Sequence, residues 1–467
     1  MIRSRAIKGT SFHAMRIGLL IGSLVLCAVA QNNPVILVPG LTGSELRNKD
    51  TNERVWFKTF KPKDDDIRLP LNADPTLMGD KLIATDALRE IKVAGFSVID
   101  AYGGFLKAMV GRGGYHEEKW DAPGDRGADK AVYVYAYDWR LDNVGNARAL
   151  VKKVEALRTT LGKPDLKFDV VAHSMGGMVT RYAAMYGDAD LPAAGKKPRP
   201  TWAGAKYFDK VVLIGTPNEG AINALNSLIN GFTLNGVRID LPFVQDTSKF
   251  MVFTLPAIYQ LMPAPGTLRA FDETLQPMEI DIYDPKTWRK YGWDVTRDKD
   301  FVDQFEAPDR RIADAYFAGA LSRAKRLHEA LAAADGKTSG VSFYTVGCDC
   351  RTETPDGVVL YFDRQTNKWR TQFKPKGFTR WDGYRLSDAD MRKAVLSPGD
   401  GIVPLHSIEA SFESKRAGVK SIIGGETTEK ICEDHNKQAA NSGIQDYVIK
   451  VLTGKTVAPK QLAATAH

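Results

Sequence analysis

One stretch limits the possible folds more than any other: KFDVVAHSMGGMVTRYAAMYG, Lys167 to Gly187. Its first half is a short apolar, β-branched run that predicts a buried strand, and its second half predicts a helix. Between them stands a single serine, Ser174, with two glycines behind it. A strand that becomes a helix through one residue forces that residue into a sparsely allowed backbone conformation. It also requires small side chains two positions to either side, which Ala172 and Gly176 provide, while Gly177 lets the helix approach the sheet. Either the serine is incidental to a corner, or the corner is an elbow that holds a hydroxyl out for chemistry.

The same strand–helix rhythm runs through much of the chain. PVILVPG (Pro34 to Gly40), AVYVYAYDW (Ala131 to Trp139), FDKVVLIGTP (from Phe208), GVSFYTVG (Gly340 to Gly347) and GVKSIIGG (Gly418 to Gly425) predict further strands. AYGGFLKAMVGRGGY predicts a helix closed by glycines. Ala147, Leu150, Val151, Val154, Leu157 and Leu161 fall at helical spacing, and SGIQDYVIKVLTG predicts a closing helix. Strands that alternate with amphipathic helices imply a mostly parallel sheet covered on both faces. With 467 residues, 43% of them hydrophobic, the chain can bury one elaborated α/β domain or two ordinary ones. No short period repeats along it, which excludes solenoids and propellers.

Two segments break the rhythm. From about Ser44 to Asp86 the chain is polar, irregular and interrupted by prolines. From Asn218 to about Lys337 it is apolar, aromatic and proline-punctuated, so a cap over a site or a second domain is expected there. Residues 454–467 lack an apolar period and predict a disordered tail.

The first 30 residues follow the grammar of a cleaved secretory leader: Arg16, an apolar run from Ile17, and the small-residue site Ala28-Val29-Ala30. Met15 is an alternative start. Cleavage would remove Arg3, Arg5, Lys8 and Arg16 and lower the formal charge from +8 to +4, a mild surplus suited to anionic lipid surfaces. An exported protein, periplasmic or secreted and peripheral to membranes, is expected. No basic stripe with interleaved aromatics stands out, so nucleic acid is not expected as a partner. Cys348, Cys350 and Cys432 remain after the leader, predicting one disulfide from Cys432 to Cys348 or Cys350 and one thiol left over. Cys-x-Cys lacks further ligands at zinc spacing, and neither metal nor cofactor is expected.

A serine hydroxyl is a weak nucleophile until a base takes its proton, so a histidine and an orienting acid are required downstream of Ser174. In a strand–elbow–helix architecture the chain order is serine, acid, histidine. LSPGDGIVPLHS offers Asp400 in a glycine-flanked loop, and EKICEDHNKQAANSG offers His435 ahead of the closing helix. His173 should point away from its neighbour Ser174, and His406 follows Asp400 too closely to be the last partner. His116 and His328 precede or interrupt the sheet, and His13 belongs to the leader. Glu433 or Asp434 in place of Asp400 would have to aim at an imidazole beside them. An oxyanion hole needs two backbone amides; Met175 after the nucleophile supplies one, and Leu41 in VPGLTGSE is the candidate for the other. The alternative for that loop is an ordinary strand-ending turn. For Tyr137-Asp138-Trp139-Arg140, a structural corner with Arg140 satisfied by a carboxylate is favoured over direct catalysis.

Together PVILVPGLTGSEL, YVYAYDWRLD, VVAHSMGGMVTRY, LIGTPNEG and GDGIVPLHS with the later His435 resemble the lecithin:cholesterol acyltransferase family, from Pro34 to about Leu452. The resemblance implies the α/β-hydrolase fold with a cap or lid insertion at 218–337 and a smaller, membrane-docking insertion at 44–86, within a domain spanning 31–453. It implies Ser174 as nucleophile, Asp400 as acid, His435 as base, and Leu41 and Met175 as oxyanion residues. Ala172 departs from the family's usual glycine, and the first insertion lacks the paired cysteines of the animal enzymes, so sterol preference and lipoprotein partners are not carried across. The expected activity is serine-dependent acyl transfer or lipase action on ester lipids, phospholipids foremost, at a membrane or micelle surface, with no obligate protein partner. The competing expectations are a plain carboxylesterase or triacylglycerol lipase, and a non-catalytic scaffold used for binding or adhesion.

Overall fold

In a computed structural model that describes residues 32–58, 67–93, 96–232, 248–305, 310–333, 340–411, 423 and 428–454, seven strands form one sheet. They are β1 (Val35–Val38), β2 (His116–Glu118), β3 (Ala131–Val134), β4 (Phe168–His173), β5 (Phe208–Ile214), β6 (Ser342–Gly347) and β7 (Thr428–Lys430). Their spatial order is β7-β6-β5-β4-β1-β3-β2, and every neighbouring pair is parallel. The central strands are mostly apolar because both faces are covered, with Asp169, Asp209 and Lys210 confined to the early positions of β4 and β5. Val35 and Leu37 enter one core with α1 (Gly103–Gly111), whereas Ile36 and Val38 enter the other with α2 (Asn143–Thr160) and α3 (Met175–Tyr186). Fully burying each such side chain stabilises the fold by about 2 kcal/mol.

Helix α4 (Arg310–Ala332) packs on α3 in the second core, and α5 (Ser442–Thr453) closes the first. This is the expected α/β-hydrolase architecture. No helix among the described residues is long and apolar enough to cross a membrane.

Register decides what meets at the carboxyl edge. Val38 lies opposite Ala172, and Ile214 opposite His173, so the loops after β1, β4 and β5 leave the sheet side by side. The acid loop arrives differently. The chain passes from β6 into Arg351–Pro355, which pairs antiparallel with Leu396–Gly399, and Asp400 follows directly. Strand β7 then delivers the loop that carries His435.

The segment after Leu41, expected to be irregular, instead contains an antiparallel sheet of Arg54–Trp56, Ser44–Asn48 and Leu82–Ala87. Its strands are three to six residues long and their registers shift, so no sustained alternation marks them in the sequence. Edge strand β2 was likewise not expected, since its three residues are all polar. Within 218–337, Phe253, Tyr259 and Trp288 belong to the same core as β4. Strand Arg269–Phe271 pairs with Gly357–Asp363, joining that segment to a sheet that also contains Lys368–Gln372. The leader, all of the tail except Gly454, and most of the expected strand Gly418–Gly425 lie outside the described residues. Cys432 is bonded to Cys350, one of the two expected pairings, and Cys348 is a buried free thiol.

Candidate active site

Ser174 has φ 53° and ψ −128°, a conformation that a non-glycine residue holds only under the constraint of its surroundings. Its N–H donates to the Ile214 carbonyl at 2.8 Å, pinning the elbow to β5. Side chains larger than those present would not fit. A Cβ at Gly176 would lie 2.4 Å from the Pro39 carbonyl oxygen, and one at Gly177 would lie 1.9 Å from Thr216 Oγ1. The tight corner therefore follows from the approach of α3 to the loops after β1 and β5.

The elbow's hydroxyl meets a histidine. His435 Nε2 lies 2.8 Å from Ser174 Oγ, and His435 Nδ1 lies 2.7 Å from Asp400 Oδ2. A carboxylate only accepts, so the Nδ1–H donates to Asp400 and Nε2 is left to accept from the serine. Asp400 is anchored in turn. Its Oδ1 accepts the backbone N–H groups of Ile402 (3.0 Å) and Val403 (2.7 Å), and its Oδ2 also accepts from Gln438 Nε2 at 3.2 Å. The His435 backbone N–H donates to the Asp400 carbonyl at 2.9 Å, tying the two loops together. All three side chains are buried. A buried carboxylate whose lone pairs are satisfied by hydrogen bonds holds its geometry, which is what a base-orienting acid requires.

Leu41 follows Gly40 in the loop beyond β1, and Met175 is the first residue of α3, where an amide has no partner within its own helix. Three aromatic residues brace the loop after β1. Tyr137 donates from its hydroxyl to the Pro39 carbonyl at 2.8 Å, Trp139 Nε1 donates to the Ser44 carbonyl at 3.2 Å, and the Gly40 N–H donates to the Tyr102 hydroxyl at 2.8 Å. Arg140 has a fully buried side chain and forms a fork on Asp80 at 2.7 and 2.8 Å. It also bonds Asp138 at 2.8 Å and the Ile67 carbonyl at 3.1 Å. The Tyr-Asp-Trp-Arg motif thus clamps the first insertion to the corner beside the elbow.

Sequence reasoning missed Tyr102 and Gln438 and gave His173 no task. His173 Nε2 reaches the His435 carbonyl at 3.1 Å and its Nδ1 the Tyr102 hydroxyl at 2.8 Å, and its ring centroid lies 5.1 Å from that of His435. Burial, together with the nearby His435, lowers the His173 pKa to about 3, so the ring is neutral. No local pattern marks these residues, because their contacts run between loops and helix ends that only the fold brings together. His406 sits apart from the elbow's bonds, with Nε2 2.8 Å from Asp356 and Nδ1 3.6 Å from Glu219. His116 lies 3.2 Å from Glu118, and His328 is buried with its pKa lowered to about 4 by desolvation.

The lecithin:cholesterol acyltransferase family model matches residues 122–292, a span that holds the elbow but neither Asp400 nor His435. Lecithin-cholesterol acyltransferase-like 4 of Arabidopsis thaliana is 28% identical over 254 residues, covering 50% of this chain and 43% of that protein. Phospholipase A(1) LCAT3 of the same plant is 26% identical over 304 residues, covering 56% and 57%. The chain spans about half the length of these curated relatives. Among solved structures, a chain of the Tle4–Tli4 complex aligns at TM-score 0.54 and 17% identity over 91% of this chain and 99% of that one, a likeness in fold.

Proposed function

Because the chain belongs to the lecithin:cholesterol acyltransferase family, we propose that it is a serine acyltransferase or lipase that cleaves ester lipids, phospholipids foremost, through an acyl-serine intermediate. The observation that carries this reading is the continuous pair of hydrogen bonds from Ser174 Oγ to His435 and from His435 to Asp400, at 2.8 and 2.7 Å.

In this reading the Ser174 hydroxyl gives its proton to His435 Nε2 as Oγ bonds to the ester carbonyl carbon. The carbonyl electron pair moves onto oxygen, where the amides of Leu41 and Met175 receive the charge. The intermediate collapses, the ester C–O bond breaks, and His435 passes its proton to the departing alcohol. Water or a lipid alcohol then surrenders a proton to His435 and attacks the acyl-serine carbonyl, and Ser174 Oγ leaves and is reprotonated. Asp400 keeps the imidazole in one tautomer and stabilises its cation throughout. The same three residues serve hydrolysis and transfer alike. What divides the two outcomes is whether the acceptor position is dry.

The segment at 218–337 would be the cap over the acyl chain, and 44–86 the membrane-docking part. The protein would be exported by its leader and act at a membrane or micelle surface. The test is incubation with acyl-labelled phospholipid, with and without sterol or diacylglycerol. Labelled free fatty acid alone means hydrolysis, and a labelled neutral ester means transfer. Failure to release label under any condition, with no reaction of Ser174 with a fluorophosphonate, would refute the reading.

A further inference from the structure

Residues 361–385 form an exposed lobe to which acyl transfer assigns no task. It is built on the antiparallel pair Gly357–Asp363 and Lys368–Gln372, and on a turn bridged from Thr379 to Arg385. Trp381 is 60% exposed and Tyr384 57%, among the largest apolar exposures of the described residues, and Phe362 on the same hairpin is 39% exposed. Clustered exposure of large aromatic side chains marks an interaction site, whereas single ones do not.

Charge sharpens the identity of the partner. The stretch holds seven Lys or Arg and two Asp. Both acids are already engaged, Asp363 with Arg370 at 2.9 Å and Asp382 with Arg380 at 2.6 Å. Lys368, Lys374, Lys376 and Arg385 are exposed and form no ion pair among the described residues. The guanidinium of Arg364 lies over the Trp381 ring, 4.2 Å from its centroid, and that of Arg380 lies 5.4 Å from the Tyr384 centroid. The Trp381 indole N–H donates to Glu273 Oε1 at 2.7 Å, which orients the ring. A protein partner favours a patch whose centre is depleted of charge. Exposed aromatic side chains that share one short stretch with exposed cations held by no acid among the described residues instead match the lipid headgroup layer, where Trp and Tyr settle and phosphates meet Lys and Arg.

We propose that this lobe docks the protein on anionic phospholipid bilayers, Trp381 and Tyr384 entering the headgroup layer while Lys368, Lys374, Lys376 and Arg385 meet phosphate groups. The choice of a lipid surface rests on the ester-lipid reading above. From the lobe the chain runs through helix Asp388–Val395 and strand Leu396–Gly399 into Asp400.

The test is cosedimentation of the full chain carrying Ser174→Ala, which spares the lipid, with phosphatidylcholine vesicles and with vesicles containing about one quarter phosphatidylglycerol. Binding to the anionic vesicles that is released by salt is expected. Trp381→Ser with Tyr384→Ser, and separately Lys374→Glu with Lys376→Glu, should each weaken binding about tenfold at an unchanged melting temperature. If the serine pair melts early, Trp381→Glu alone replaces it. Variants that bind as tightly as the parent overturn the proposal. So does an oligonucleotide that displaces the vesicles, or a concentration-dependent dimer lost in the serine pair. Fluorophosphonate labelling of the Ser174 parent separates the two readings: labelling without vesicle binding sinks the docking surface alone, and vesicle binding without labelling sinks the acyl-serine alone.

Discussion

His435 Nε2 and Ser174 Oγ stand 2.8 Å apart although 261 positions separate the two residues in the chain. A contact of that length between a base and a hydroxyl is productive only if the hydroxyl is the group that reacts. Ser174→Ala is therefore expected to lower kcat on a soluble ester by about a millionfold, as loss of the nucleophile does in serine hydrolases. The fold should survive, since alanine keeps the Cβ that the elbow already accommodates and removes only the hydroxyl. Turnover by the purified variant at the parent rate would refute the assignment.

Tyr102 is expected to be a positioning residue. A backbone carbonyl can only accept, so His173 donates from Nε2 to His435 and its Nδ1 must accept from the Tyr102 hydroxyl. That hydroxyl in turn accepts the Gly40 N–H. One relay thus joins the loop before Leu41 to the loop that carries the base. Tyr102→Phe leaves a buried N–H unpaired, which costs about 1–3 kcal/mol. It should also lower kcat about tenfold with KM nearly unchanged, because the amide at Leu41 and the ring of His435 both lose registration. A variant that melts earlier but keeps the parent kcat when folded would show that the relay is only structural.

The central sheet and the elbow are readable in the sequence because each central strand buries both faces. Val35 through Val38 are all buried, two facing each core, so the strand appears as a continuous apolar run. Asp400 and His435 are readable from chain order after Ser174 and from their loop setting. The carrier of Asp400 is not, because Leu396–Gly399 pairs with Arg351–Pro355 across some forty residues and neither strand has a periodic pattern. Gln438 and Tyr102 are hidden for a related reason. Tyr102 reaches the site across the fold, and Gln438, three residues after His435, turns to Asp400 in another loop, which nothing in its neighbouring residues records. The lobe at 361–385 is obscured because its cations occur singly between aromatics and become one surface only when the hairpin closes.

His406 makes stability depend on pH. Burial disfavours its cation, but the bonds and charges of Asp356 and Glu219 outweigh burial and raise its pKa to about 9 from 6.5. Arg269, 2.6 Å from the second oxygen of Asp356, competes for the same carboxylate without cancelling the effect. The folded chain therefore keeps a proton that the unfolded chain releases near 6.5. That stabilisation is full below pH 6.5 and is lost as pH rises through 9. Unfolding free energy from urea titrations should fall across that window in the parent, and His406→Gln should flatten the fall. Identical slopes in the two proteins would show that His406 carries no such proton.

Arg140 separates support from chemistry at the corner beside the elbow. Its side chain is fully buried, and its partners Asp80 and Asp138 retain only 18% and 11% exposure. Removing the cation by Arg140→Ala leaves two neighbouring carboxylates in a poorly hydrated site with nothing to oppose them, so the fold should lose about 3–5 kcal/mol. Arg140→Met combined with Asp80→Asn removes charge from both sides and should recover part of that loss, because the penalty arises from the unpaired partner more than from the missing bonds. The loop carrying Leu41 is also held by Tyr137 and Trp139, which stay in place, so kcat of the folded fraction should change less than about tenfold. An Arg140→Ala protein that keeps its parent stability while losing kcat by orders of magnitude would move this arginine from the frame into the reaction.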